Sequence, residues 1–246
     1  MFFKKILTTS LLVLASTGAT ANVIYQETFD GNGNTWNTVD NSADVGVTNN
    51  SGAIYTQFGG YSDTFGNGFT TSLDIYLDID AWDIGQGFDF TSAVNDQAGN
   101  HRRDFIFHAG KTANNGFVIN SSNNTDFIYN EYKLISDNSF FTVGSSGWYT
   151  FEHNFYDLNG FLAVDFNVYD NNQGLLFSET RSSTADDIAT TIGGNRYGWF
   201  TYTNNNLTID NATLTRADLA ADIPEPSTLA LLALALLGGV SRRLKK

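Results

Sequence analysis

The chain of 246 residues reads as an all-β protein built from two packed antiparallel sheets. Three observations predict this. Gly, Asn, Asp, Ser and Thr are abundant and aromatics make up 14% of the chain, while Glu, Lys and Met are scarce. That mixture suits strands joined by tight turns and is poor material for helices. From Phe69 to Trp82 apolar and polar residues alternate. Leu73, Ile75, Leu77, Ile79 and Ala81 fall on one side; Asp74, Tyr76, Asp78, Asp80 and Trp82 fall on the other, as in a half-buried strand. Finally, Asn159-Gly160, the preferred two-residue hairpin turn, sits between two patterned runs.

Taken in order, Val23–Phe29 is a first strand and 30–34 a Gly/Asn turn. The stretch 35–60 is weakly patterned, with a short strand at Ala53–Phe58, and 61–68 is loop. Gly85–Phe90 and Asp104–Ala109 pair around a loop at 91–103. Phe117–Asn120 and Phe127–Tyr132 are further strand candidates. The hairpin Trp148–Asp170 has a register fixed by its turn: Leu158 faces Phe161, Phe155 faces Val164, His153 faces Phe166 and Phe151 faces Val168. On its other side Tyr156 meets Ala163, Asn154 meets Asp165, Glu152 meets Asn167 and Thr150 meets Tyr169. One side is apolar and the other polar with tyrosines, so turn chemistry and patterning agree. Asn171–Gly174 turns into a strand at Leu175–Thr180, completing a meander. Ala185–Thr191 is expected as one helical turn broken by Gly193-Gly194. Tyr197–Tyr202 and Leu207–Leu214 are expected as a last hairpin. About a dozen short strands in one domain imply two sheets packed face to face.

Both ends carry signals. Lys4 and Lys5, the apolar run Ile6–Ala15 and the small-x-small triplet Ala19-Thr20-Ala21 describe a secretory leader, residues 1–21, cleaved after Ala21. The domain then spans 22–216 and a linker 217–223. Residues 224–246 open with Pro224-Glu225-Pro226, the only prolines, which hold the backbone extended. A Leu/Ala-rich helix follows at 228–240, shorter than the roughly 20 residues of a stable span. The basic end, 241–246, belongs on the cytoplasmic side.

This tail resembles the PEP-CTERM sorting signal of Gram-negative bacteria that make exopolysaccharide. The resemblance implies processing near Pro224-Glu225-Pro226 by a membrane protease-transpeptidase, the exosortase, after export by the Sec machinery. It implies a transient inner-membrane anchor through the C-terminal helix and a final place at the cell surface or in the extracellular matrix. An ordinary C-terminal anchor is the plainer alternative.

Without its leader and tail the body has a net charge close to −18, since six of the 13 basic residues but only one of the 26 acids, Glu225, lie in the two end signals. This argues against nucleic acid and anionic membrane surfaces as partners. The chain has no cysteine, which excludes disulfides and thiolate chemistry.

The opening strand with Glu27-Thr28-Phe29-Asp30, the meander with Gly147-Trp148-Tyr149 and the closing Ile209-Asp210-Asn211 together resemble the concanavalin A-like jelly-roll superfamily of lectins, laminin-G-like domains and glucanases. The resemblance implies a jelly-roll sandwich with a short hydrophobic helix outside it. In its binding modules a structural Ca²⁺ often joins first and last strands, which here selects Glu27, Asp30 and Asp210. In its glucanases a Glu-x-Asp-x-Glu strand carries the acids. Asp74, Asp78 and Asp80 come nearest, without a glutamate.

From the residues themselves, Glu152 and Asp165 form a diagonal pair roughly 7 Å apart, suited to inverting hydrolysis, although acidic sheet faces produce such pairs by chance. Asn154, Tyr156, Asp165, Asn167 and Tyr169, bordered by Trp82 and Trp199, could grip a glycan; the alternative is a solvated sheet face. His153 reads as a core residue. His101-Arg102-Arg103-Asp104 is a local ion-paired loop or a seat for an acidic sugar. No Ser/His/Asp context supports nucleophilic chemistry. The expected role is non-catalytic and polysaccharide-associated. The rivals are a glycoside hydrolase or lyase and a matrix protein without a ligand.

Overall fold

The computed structural model describes residues 22–31, 33–61, 65, 68–123 and 140–216. The leader with Ala19 and Ala21, the strand candidate at 127–132, the linker and the Pro224-Glu225-Pro226 tail lie outside them. Among the described residues no helix is long and apolar enough to cross a membrane.

The described chain is all β, in two antiparallel sheets. The strands are β1 (Asn22–Glu27), β2 (Val39–Ser42), β3 (Val45–Thr48), β4 (Ile54–Thr56), β5 (Phe69–Leu77), β6 (Gly87–Asp96) and β7 (His101–Thr112). They continue as β8 (Gly116–Ser122), β9 (Phe141–Val143), β10 (Gly147–Leu158), β11 (Phe161–Asp170), β12 (Leu175–Asp187), β13 (Ile192–Thr201) and β14 (Thr208–Arg216). The first sheet runs β12-β11-β10-β5-β14-β3-β2, with β1 also paired to β14; the second runs β4-β13-β6-β7-β8-β9.

The β10–β11 register matches the expected one pair for pair, from Leu158↔Phe161 to Thr150↔Tyr169. Asn159 and Gly160 carry φ values of 57° and 92°, the left-handed pair a type I′ turn requires. The apolar sides of the sheets meet in a core of phenylalanines. Phe107 stands edge-on to Phe151 and Phe166 at 5.1 and 5.0 Å, and Phe69 stacks on Phe155 at 4.3 Å. With no disulfide available, aromatic burial carries the fold.

Several expectations are corrected. The alternation predicted to run to Trp82 ends with β5 at Leu77, because Asp78 closes a turn: its carbonyl accepts from Ala81 N–H and its side chain from Asp80 N–H. The loop expected at 91–103 shrinks to a tight turn, since Asp96 accepts from the N–H groups of Ala98 and Asn100 and lets both strands run on. The helical turn expected at 185–191 is the end of β12 followed by a turn in which Asp187 accepts from Thr190. Gly193-Gly194 lies within β13, where the register shifts between Gly193 and Arg196. The expected last hairpin does not form: β13 pairs with β4 and β6, and β14 with β1, β3 and β5. The segment between them crosses from one sheet to the other.

Candidate functional site

The polar side of the β10–β11 hairpin bonds largely to itself. Glu152 accepts from Asn167 Nδ2 at 3.0 Å and from the Tyr169 hydroxyl at 3.1 Å. Asp165 accepts from the Tyr156 hydroxyl at 3.1 Å and from Thr180 Oγ1 at 2.6 Å. Asn154 accepts from Thr70. Burial, and then the neighbouring Glu152 charge, push the Tyr169 phenol up to about 12; burial and Asp165 raise Tyr156. The structure therefore brings Asn154, Tyr156, Asp165, Asn167 and Tyr169 together as expected, with both carboxylates already engaged. Trp82 is not among them. It is 4% exposed and packs against Phe88 and Phe117 in the core. Trp199 lies on the other sheet.

At the expected calcium position, Glu27 accepts from the N–H groups of Phe29 and Thr35 and so fastens the loop after β1. Asp210 is paired across the strands with Asp74, and Asn211 Nδ2 donates to both. Burial raises the Asp210 carboxyl; the Asn211 N–H opposes this, while Asp74 and Asp30 add to it. Among the described residues no group of three or more His, Cys, Asp or Glu side chains converges to hold a metal. The His101 run is held locally: His101 Nε2 lies 2.8 Å from Asp104 Oδ1, and Arg102 and Arg103 form ion pairs with the buried Asp186 at 3.1 and 3.0 Å.

The second sheet holds what the sequence did not suggest. Its face away from the core is polar yet buried. There His108 Nδ1 lies 2.7 Å from Asp89 Oδ1 and Nε2 lies 2.9 Å from Ser122 Oγ. The expectation that no Ser/His/Asp arrangement exists is thus corrected in geometry. The order carboxylate, imidazole, hydroxyl is that of a hydrolytic triad. His108 is fully buried and Ser122 is 7% exposed. The three groups satisfy one another in a buried sheet face.

At one edge of that sheet the chain opens. Tyr55 on β4 and Trp199 on β13 are cross-strand partners, and Tyr197 lies two residues from Trp199 with its ring 5.2 Å away. A cleft of about 410 Å³ is lined by Ala53, Tyr55, Gln57, Gly60, Tyr61, Asn95, Tyr197 and Trp199. A second hollow, about 590 Å³, shares Ala53, Tyr55 and Trp199 with it and continues past Tyr202. Both fall within the roughly 300–1,000 Å³ of small-ligand sites. Tyr55 is 38% exposed and Tyr202 52%, so aromatic surface reaches solvent. Among the described residues no charged side chain lines either hollow. Asp104 stands near Tyr197, whose phenol is raised first by burial and then by that charge. Burial raises Asp104 itself, against the hydrogen bond from His101. The available signal in the sequence was Tyr197-x-Trp199, two aromatics on one side of a strand.

Residues 222–246 match the PEP-CTERM protein-sorting motif. No curated protein matches the sequence. Among solved structures, the exoplasmic/lumenal domain of VIP36 in its Ca²⁺/Man3GlcNAc-bound form is similar with a TM-score of 0.48 and 10% identity, over 83% of this chain and 93% of that one. The CBM2 module of the evolved Dit of Lactobacillus casei BL23 phage J-1 is similar with a TM-score of 0.47 and 10% identity, over 80% and 97%. The Lotus tetragonolobus seed lectin gives 0.46 and 9%, over 80% and 96%.

Proposed function

We propose that this chain is an exported, exosortase-sorted protein of the cell surface or extracellular matrix that holds a polysaccharide without cleaving it, and that the Tyr55–Trp199 cleft is the site. The observation that carries the reading is the cleft's lining: aromatic rings that reach solvent, with amide side chains and, among the described residues, no charge. Ring faces pack on the apolar C–H faces of sugars while amides meet the hydroxyls. Sorting to the surface is supported by the matched motif at 222–246. The hairpin face is the weaker candidate because Glu152 and Asp165 are already hydrogen-bonded.

A glycan array probed with the exported protein tests this. Trp199→Ala should weaken any hit about 30-fold, the roughly 2 kcal/mol of a binding hot spot. Hits that survive the change place the site elsewhere. An absence of hits favours a matrix scaffold, and release of reducing ends favours a hydrolase.

The sorting step has its own test. With Pro224 and Pro226 both changed to Ala, the protein should keep its basic C-terminus and fractionate with the inner membrane, read by an immunoblot against the tail. Normal processing of that variant would remove the Pro-Glu-Pro from the mechanism.

A further inference from the structure

We infer that the cleft selects an uncharged sugar unit that presents a hydrogen-bond donor, a hydroxyl or an amide N–H, to the side-chain oxygen of Asn95. This rests on the cleft being the glycan site.

Asn95 is 6% exposed and lines the cleft. Its Nδ2 donates to the Gly99 carbonyl at 3.1 Å, and that bond fixes which way the amide points. Turned over, the amide would set oxygen against oxygen. The Gly99 carbonyl is itself held by the tight turn between β6 and β7, where Asp96 N–H donates to the Asn100 carbonyl at 2.7 Å and Gly99 N–H donates to the Asp96 carbonyl at 3.0 Å. So the amide's orientation is set before any ligand arrives. The amide oxygen Oδ1 is buried and has no hydrogen-bond partner among the described residues. A buried acceptor left unmet is costly, and a ligand donor offsets that cost. A ligand offering only acceptors there would add to it.

The charge argument points the same way. Among the described residues the cleft wall supplies no cation to hold a uronate or a phosphate. The chain as a whole carries a formal charge of −13. An anionic polymer is therefore repelled at long range and meets no cation of the described wall at short range.

The test uses the exported protein with cellohexaose, chitohexaose, permethylated cellohexaose and polygalacturonate as probes. Binding is read by calorimetry at low and high salt. One or both of the free-hydroxyl probes should bind, with an affinity unchanged by salt. Asn95→Leu should lower that affinity about tenfold. Permethylation, which removes the ligand's donors and leaves the protein untouched, should cost at least as much if cellohexaose binds. Binding of polygalacturonate, a strong salt dependence, or full affinity in Asn95→Leu with Trp199→Ala inactive would overturn this inference while leaving the cleft in place. Binding that survives Trp199→Ala, or no binding by any probe, overturns the cleft reading and this inference with it.

Discussion

Gly68→Ala should destabilise the protein by about 3–5 kcal/mol, a large share of the 5–15 kcal/mol that typically holds a domain together. Gly68 leads into β5 with φ at +98°, and a Cβ built there would lie 2.2 Å from the Phe155 carbonyl oxygen. Neither party can swing aside. Phe155 is paired in register with Phe69, the next residue, and the two rings are stacked. Gly160→Ala separates the two causes of strain. Gly160 has nearly the same φ, +92°, with nothing within 4 Å of the added atom. It should cost only the conformational part, roughly 1–2 kcal/mol. Urea unfolding of both variants gives the comparison. Equal losses would mean that backbone conformation alone accounts for Gly68 and that the contact with β10 relaxes freely.

That junction also shows what a sequence makes legible. The β10–β11 register could be read because its determinants are local: a two-residue turn and a period-two pattern on either side of it. Where no such turn marked the place, the pattern gave nothing. The β2–β3 hairpin turns on Ala43 and Asp44, with φ of 49° and 63°, and residues so unlike Asn-Gly send no turn signal. Trp82 was misplaced because alternation alone does not say where a strand stops; the Asp78 turn decided that. The Asn204-Asn205-Asn206 stretch suggests a hairpin turn between Tyr197–Tyr202 and Leu207–Leu214, yet β13 and β14 each pair with strands distant in sequence. The aromatic cleft draws on Tyr55, Asn95 and Trp199, and the buried Asp89–His108–Ser122 network on three separate strands. Beyond the Tyr197-x-Trp199 spacing the sequence carries no trace of such sites, which exist only once the second sheet is assembled.

His153 was legible as a core residue from the same local pattern, and its burial makes the fold acid-sensitive in a defined way. The ring is fully buried, 4.7 Å from Phe107 and 5.0 Å from Phe166. Burial lowers its pKa from 6.5 to about 3, with the Phe105 backbone opposing the shift. Above about pH 6.5 the imidazole is neutral in both folded and unfolded chains and has no effect on the pH dependence of stability. Below that value the unfolded chain takes up a proton that the folded chain refuses until about pH 3. Stability therefore falls with pH through that window, at up to about 1.4 kcal/mol per unit. By pH 4 the loss reaches on the order of 3 kcal/mol. His153→Leu keeps an apolar side chain of similar size in the cage and removes the proton site. The variant should gain on the wild type by that amount between pH 7 and pH 4 in urea unfolding. Carboxylates such as Asp104 and Asp210, whose raised pKa values act in the opposite direction, affect both proteins alike and cancel in the difference. Parallel stability curves for the two proteins across this range would show that the imidazole is solvated or paired in the folded chain, and that the phenylalanine core is looser around it than the packing implies.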